Sequence, residues 1–121
     1  MTTGYQIKEQ DALYYLTLQV VDWVDVFTRQ CYRDIVVDSL NYCQLNKNLQ
    51  VFAFVIMSNH VHLNANSGTS ELSATLRDFK KFTSKAILQQ VTEGIESRRE
   101  WMLNRFEFAA SRHGRNDHYQ L

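Results

Sequence analysis

Two histidines, His60 and His62, stand one residue apart in the segment "VFAFVIMSNHVHLNANSG", which runs from Val51 to Gly68. Successive side chains of a strand point to opposite faces, so these two imidazoles would share a face. Neutral imidazole nitrogens bind divalent ions at about 2.0–2.1 Å, and two of them on one face can hold one ion. Alternating histidines on a solvated strand are more often plain polar residues. A structural zinc site needs four ligands, so an incomplete pair fits an open, catalytic site better.

The pair lies in a pattern of strands that would position it. In "ALYYLTLQVVDWV", residues alternate between an apolar set on one face and Tyr15, Thr17 and Gln19 on the other, which predicts a half-buried strand. Val51 to Met57 is apolar throughout and predicts a strand buried on both faces. A turn at Ser58-Asn59 and a strand over residues 60–66 follow, and so short a connection requires antiparallel pairing.

Helical spacing of apolar residues separates and follows these strands. The segment from Thr28, a predicted N-cap, to about residue 48 predicts the first helix, and Tyr32 falls on its core side. The second helix should start at a cap on residue 69 or 70 and end at Gly94. A capping box at residues 97–100 should start a third helix that stops near residue 114, and the tail from residue 116 could begin a last strand.

The resulting order of elements matches most of the split βαβ, or ferredoxin-like, α+β arrangement. Its antiparallel sheet carries helices on one face and leaves the other face open. Val61, Leu63 and Ala65 should face the helices, which places the histidines and Asn64 on the open face.

Composition limits the class of protein. The 121 residues suit one domain over residues 1–121, with 45% hydrophobic and 21% charged residues and equal numbers of acidic and basic side chains. No window approaches the roughly 18–20 apolar residues of a membrane span, and the N-terminus does not have the pattern of a signal peptide. We therefore expect no membrane association and a cytoplasmic location. Cys31 and Cys43 fall in one helix, too far apart for a disulfide.

The string "FAFVIMSNHVHL" closely resembles the signature of the HUH single-tyrosine transposases, the small insertion-sequence transposases and the REP-associated tyrosine transposases. That signature is an apolar strand, Met, a small residue or Pro, Asn, and then His-hydrophobic-His and Leu, which here spans residues 56–63. Ser58 stands where many members have proline. "LRDFKKFTSKAI" resembles the following helix of the family, and the similarity covers the chain from about Tyr14 onward.

The resemblance implies cleavage and rejoining of single-stranded DNA beside a hairpin. In the family a tyrosine attacks the scissile phosphate, forms a 5′-phosphotyrosine and releases a 3′-OH. His60 and His62 would be the ligands of a divalent ion, Mg²⁺ or Mn²⁺, which polarises the phosphate. Some members act as dimers, so a homodimer is a further implication.

The nucleophile is the main departure from the family pattern. Family members carry it on a helix well after the histidine strand, often followed closely by Asn-Pro, and that helix often supplies a third metal ligand. Here Tyr119 is the one tyrosine after His62, two residues from the end of the sequence, and proline is absent. We therefore expect a chain truncated before the tyrosine helix, with the nucleophile beyond Leu121. Tyr15, on the polar side of the first strand, and Tyr119 remain weak candidates.

Basic residues of the second predicted helix form a stripe. Arg77, Lys81 and Lys85 recur every four residues opposite its apolar face, with Lys80 at the edge. They are the candidate DNA-binding residues, through phosphate contacts, and a solvated helix face is the alternative.

Three functions stay open at this point. The first is a transposase catalytic domain, the second a DNA-binding module of the same descent that does not cut, and the third an RRM-like sheet that binds RNA by stacking. Stacking proteins present aromatic side chains on the open sheet face, where this sequence offers Tyr15 among mostly polar residues.

Overall fold

A computed structural model describes residues 2–3 and 7–113 of the chain. It shows an α+β protein with an antiparallel sheet and three helices. The strands are β1 (Thr2–Thr3), β2 (Tyr14–Gln19), β3 (Leu49–Ile56) and β4 (His60–Ser67), in the order β1-β2-β4-β3. The helices are α1 (Gln30–Asn46), α2 (Leu72–Glu93) and α3 (Arg99–His113).

The hydrophobic core lies between one face of the sheet and the helices. Alternate residues of β2 and β4 point into it, as the sequence pattern predicts, and meet the apolar sides of all three helices. The core includes Leu16 and Leu18 of β2, Val61, Leu63 and Ala65 of β4, Tyr32 and Val36 of α1, Leu72, Leu76 and Phe79 of α2, and Met102 and Phe106 of α3. The other residues of β4 are thereby turned to the opposite, open face.

The hairpin that carries the histidines is tight, as predicted. Met57 donates its backbone N–H to the His60 carbonyl at 2.8 Å, which closes the loop at Ser58-Asn59. The loop carbonyls accept hydrogen bonds from Val20 at 3.0 Å and Phe27 at 2.9 Å, so the segment after β2 holds the hairpin in place. β4 lies between β2 and β3 and pairs with a strand on each side.

The prediction that β3 is buried on both faces is wrong. β3 is the edge strand, and Phe52, Phe54 and Val55 remain 62%, 44% and 53% exposed. A β-bulge between Val51 and Ala53 interrupts its pairing with β4. An unbroken apolar run indicates burial on both faces only where strands flank it and helices cover both faces of the sheet. Here one face of the sheet is open, and the outer edge of β3 has no neighbour among the described strands.

Helix ends follow the predictions in part. α1 begins at Gln30, and the Thr28 hydroxyl donates to the Asp25 carbonyl rather than capping it. α2 begins after Glu71, whose N–H donates to the Ser67 hydroxyl at 3.0 Å. The predicted end of α2 at residue 94 is confirmed, and α3 begins at residue 99. The strand predicted from residue 116 lies outside the described residues.

A polar cluster around the buried Glu96 carboxylate joins α1 and the segment before it to the α2–α3 connection, with the half-exposed Asp25 side chain at its rim. It consists of Asp25, Tyr32, Glu96 and Arg98, and we call it the buried cluster. The Tyr32 hydroxyl donates to Glu96 Oε1 at 2.8 Å, the Arg98 backbone N–H donates to Glu96 Oε2 at 2.9 Å, and Arg98 pairs with Asp25 at 2.7 Å. Burial alone would raise the pKa of the Glu96 carboxyl, but the hydrogen bonds from Arg98 and Tyr32 hold it below its ordinary value. Burial and the Glu96 carboxylate raise the pKa of Tyr32.

The cysteines are free thiols, as predicted. None of the helices in the described part of the chain combines the length and apolar composition needed to cross a bilayer.

Candidate metal centre on the open sheet face

The two histidines converge on the open face of β4. His60 is half-buried and His62 is exposed, while Val61 between them is buried against the helices. Their Nε2 atoms lie 3.2 Å apart, and the rings are nearly perpendicular, with an interplanar angle of 86°. Both rings therefore share one face, as the strand alternation predicts, and their Nε2 atoms also point toward each other.

Hydrogen bonds to the other ring nitrogens orient these imidazoles. His60 Nδ1 lies 2.7 Å from Asn59 Oδ1. A carbonyl oxygen can only accept, so Nδ1 carries the proton and the lone pair of neutral His60 is on Nε2. His62 Nδ1 lies 3.3 Å from the Thr17 hydroxyl, which can accept the same kind of bond. With His60 Nε2 as the acceptor, the 3.2 Å contact is a hydrogen bond when His62 Nε2 carries the proton. Metal binding would require the other tautomer of His62, in which Nδ1 donates to the Thr17 hydroxyl and Nε2 turns its lone pair toward the common point.

The separation of the two nitrogens fits one bound ion. With nitrogens 3.2 Å apart, an ion about 2.1 Å from each would subtend an angle of about 100°. This lies between the tetrahedral angle of structural zinc sites and the right angle of octahedral sites. No group of three or more His, Cys, Asp or Glu side chains gathers anywhere in the described residues, so the pair would supply two ligands to an ion, and solvent or substrate oxygens would complete the coordination sphere.

Asn59 is the residue of the candidate site that sequence reasoning left without a role beyond the turn. Its Oδ1 orients His60, and its Nδ2 donates to the Trp23 carbonyl at 3.4 Å. Trp23 and the preceding Asp22 have left-handed backbone angles, with φ of 57° and 53°. Such angles are strained for residues other than glycine and persist where neighbours impose them. An amide next to a candidate metal-binding histidine is the sequence signal that could have identified Asn59.

The residues of β2 beside the histidines are those predicted. Thr17 is opposite His62 and Gln19 is opposite His60 in the register of β2 and β4. One pair further along, Tyr15 is opposite Asn64, and Tyr15 is 76% exposed. The candidate Tyr15 therefore shares the open face with the histidines. The other candidate, Tyr119, lies outside the described residues.

The basic stripe of α2 and the histidines are on opposite sides of the molecule. Arg77, Lys81 and Lys85 are exposed, and Lys80 is half-buried. Burial lowers the pKa of Lys80. α2 packs its apolar side on the core, which is the face of the sheet opposite the histidines, so the stripe points away from them. The structure does not bring the two sets of candidate residues together.

Comparison of the chain with protein-family models, curated proteins and solved structures finds no match.

Proposed function

We propose that this protein binds single-stranded DNA, including the strand beside a hairpin, across the open face of its sheet, with a divalent ion held by His60 and His62 on a backbone phosphate. The observation that carries the proposal is the convergence of two imidazole Nε2 atoms to 3.2 Å, each in a position to present a lone pair. Two neutral ligands leave most of the charge and coordination sphere of the ion available to phosphate oxygens.

The charge of the sheet supports a metal-dependent contact. β2, β3 and β4 contain no Asp, Glu, Lys or Arg, so no carboxylate in these strands repels a phosphate and no lysine or arginine attracts one. Affinity at this face must therefore come from the ion and from contacts to bases. Binding at the sheet should depend on metal and vary only weakly with salt.

Strand cleavage is the chemical part of the proposal. A bound ion would polarise the phosphate and offset the negative charge that develops on its oxygens. The tyrosine oxygen forms a bond to phosphorus as its proton leaves to water, the bond from phosphorus to the 3′ oxygen breaks, and that oxygen takes up a proton. Rejoining is the reverse. Tyr15 is the described tyrosine on the histidine face, and Tyr119 is the second candidate.

The finer fold assignment is also proposed. β2, α1, β3, β4 and α2 follow one another in the order of a ferredoxin-like fold, and the spatial order β2-β4-β3 agrees with it. A cytoplasmic location belongs to the same proposal, since free cysteines suit a reducing compartment.

The test measures DNA binding and cleavage together. A hairpin oligonucleotide with a single-stranded flank, labelled at either end, is titrated with protein with and without Mn²⁺ and then run on a denaturing gel. We expect Mn²⁺-dependent binding that His60→Ala and His62→Ala abolish and the neighbouring Asn66→Ala retains. Equal binding by parent and histidine variants in Mn²⁺ would refute the metal role.

The gel separates the transposase from a non-cleaving DNA-binding module. A covalent protein–DNA band lost in Tyr15→Phe or Tyr119→Phe would identify the nucleophile. Metal-dependent binding without such a band would support the non-cleaving module. An RNA-binding sheet is the second candidate function, favoured by the exposed ring of Tyr15, and the same strand made of RNA tests it.

We propose further that the protein forms a homodimer through β3. This strand has exposed apolar side chains and no charged residue, and its outer edge has no partner strand among the described residues. Beside it, Val37 and Leu40 of α1 line a groove that includes Phe52 and Phe54. A second copy suits this edge because two uncharged, apolar strands can pair antiparallel about a two-fold axis with no like charges facing each other. The bulge between Val51 and Ala53 divides the strand into the regularly paired residues 49–51 and 53–56.

A further inference from the structure

We infer that Tyr15 and Asn64 form a binding site for one unpaired base, adenine by preference, next to the phosphate held at the histidines. The inference rests on the proposed function and names the part of the substrate that this face recognises. The two residues lie directly opposite each other on neighbouring strands of the open face.

Tyr15 provides the surface for stacking. Its side chain is 76% exposed and lies on β2 beside the central strand β4. Single-stranded nucleic acids stack their bases on such rings, because every base has a flat aromatic face. An exposed tyrosine on a helix would be unremarkable, but this one stands on the face that also carries the metal ligands.

Asn64 provides the polar contact. Its Oδ1, like that of Asn66, is buried and has no hydrogen-bond partner among the described residues. A buried carbonyl oxygen without a partner is costly, so a ligand that supplied one would be favoured. Of these two amides, Asn64 is the one that lies opposite Tyr15 and lines the depression beside it. The χ2 torsion of asparagine has a broad distribution of angles, so rotation about it can present both the oxygen and the nitrogen to a ligand. A donor and an acceptor side by side match the N7 and N6 edge of adenine.

The spacing suits a single nucleotide. Along β4, Asn64 is two residues from His62, or about 7 Å at the backbone. A nucleotide whose phosphate lies at the histidines can therefore place its base over Tyr15 with one edge toward Asn64. A depression of ≈ 230 Å³ covers this area, lined by Tyr15, Thr17, Ala53, Val55, His62 and Asn64 among others. It is open and smaller than the pockets of about 300–1,000 Å³ that enclose small molecules, which favours one ring lying on the surface.

The experiment measures binding of fluorescent single strands by anisotropy in Mn²⁺. The first strand has ten nucleotides, nine of them thymidine and one with adenine. In two matched strands the adenine is replaced by thymine or by an abasic residue. Tyr15→Phe keeps the ring and removes the hydroxyl, whereas Tyr15→Ala removes both. Asn64→Leu removes the amide at similar size. The controls are Tyr42→Ala, which removes an exposed tyrosine of α1, and Asn66→Leu, which removes the next amide of β4.

We expect Tyr15→Ala to lose about 5- to 100-fold in affinity and Tyr15→Phe to bind like the parent. The abasic strand should bind the parent more weakly by a similar factor, with no further loss in Tyr15→Ala. Asn64→Leu should abolish the preference for adenine over thymine, and both controls should retain parent binding. Equal affinities of the parent and Tyr15→Ala, or an unchanged adenine preference in Asn64→Leu, would overturn the inference.

The outcomes separate this inference from the proposed function. Mn²⁺-dependent binding that is insensitive to Tyr15 and Asn64 would leave the metal proposal standing and remove the base site. Binding that depends on Tyr15 and adenine but not on Mn²⁺ would keep the base site and remove the metal role. Tighter binding of the matched RNA strand would replace the DNA assignment, and no binding of any strand by the parent would refute both.

Discussion

The buried cluster of Asp25, Tyr32, Glu96 and Arg98 joins residues distant in sequence, whereas the histidine pair on the open face comes from one strand, and the two also differ in completeness. Glu96 is 7% exposed, and both of its carboxylate oxygens accept hydrogen bonds from protein groups. At the histidine pair, the Nε2 atoms face each other and the solvent. Any bound ion would need its remaining ligands from solvent or substrate. A polar cluster that satisfies itself stabilises the fold, whereas one that is left incomplete on the surface is available to bind.

The largest effect should follow from opening the buried cluster. Glu96→Gln removes the charge that Arg98 and Tyr32 surround, and we expect a loss of about 3 kcal/mol in the free energy of unfolding. Denaturant unfolding monitored by tryptophan fluorescence measures it, with the exposed Glu107→Gln of α3 as the matched control. If both variants unfold like the parent, the buried cluster is not a stabilising element and the comparison fails.

The same cluster predicts how stability depends on pH. The pKa of Glu96 is below its ordinary value of 4.5, so its contribution is complete above that pH and is lost as the pH falls below it. We expect the parent to lose more stability than Glu96→Gln between pH 5 and about pH 3, because the variant has no carboxylate there. Parallel pH curves for the two proteins would contradict the lowered pKa.

Changes at the histidine pair should leave stability alone and alter metal binding. Substituting a residue that hydrogen-bonds to a metal ligand commonly weakens metal binding about 10- to 100-fold. We expect Asn59→Ala to lose about tenfold in Mn²⁺ affinity and His60→Ala to lose more, because the first removes an orienting group and the second a ligand. Calorimetry in the presence of a single-stranded oligonucleotide measures the affinity, and unfolding curves verify that both variants fold. A drop in stability as large as that of Glu96→Gln would show that the pair is structural.

The exposed apolar edge of β3 is the proposed dimer interface, just as the exposed histidine pair is the proposed ligand site. Val55→Lys places a charge among the exposed apolar side chains of the edge, where pairing with a second copy would bury it. We expect sedimentation to show a concentration-dependent dimer for the parent and a monomer for the variant. A matched change on an exposed apolar residue of α1, Leu45→Lys, should leave the dimer intact. A parent that is monomeric at all concentrations would exclude this interface.

The smallest effect is expected at the basic stripe, which faces away from the histidines. In the double variant Arg77→Gln, Lys81→Gln, the salt dependence of hairpin binding should become shallower by about 1.8 in log–log slope if both side chains contact phosphates of the duplex stem. A ten-nucleotide single strand that reaches only the open face should show no change. The exposed Arg105→Gln of α3 is the control. An unchanged slope with the hairpin would identify the stripe as ordinary solvated surface.

Much of the fold was predictable because periodicity reports burial directly. The alternation in β2 and β4 identified the inward residues and placed both histidines on the open face, and Tyr32 fell in the core as its helical spacing predicted. β3 was not predictable in this way. Its apolar run indicates a strand but cannot show whether that strand is central or at an edge, since position in the sheet is set by which strand pairs with β4 on each side.

What the sequence by itself determined is therefore local: the strand and helix types, the shared face of His60 and His62, and the residues opposite them once β2 and β4 pair. Only the tertiary structure decided that the Nε2 atoms meet at 3.2 Å, that Asn59 and Thr17 orient the rings, and that α2 directs its basic stripe away from them. It also brought Glu96 to Tyr32, 64 residues apart in sequence. The physical reason is that periodicity depends on neighbours within a few residues, whereas side-chain contacts depend on how whole elements pack.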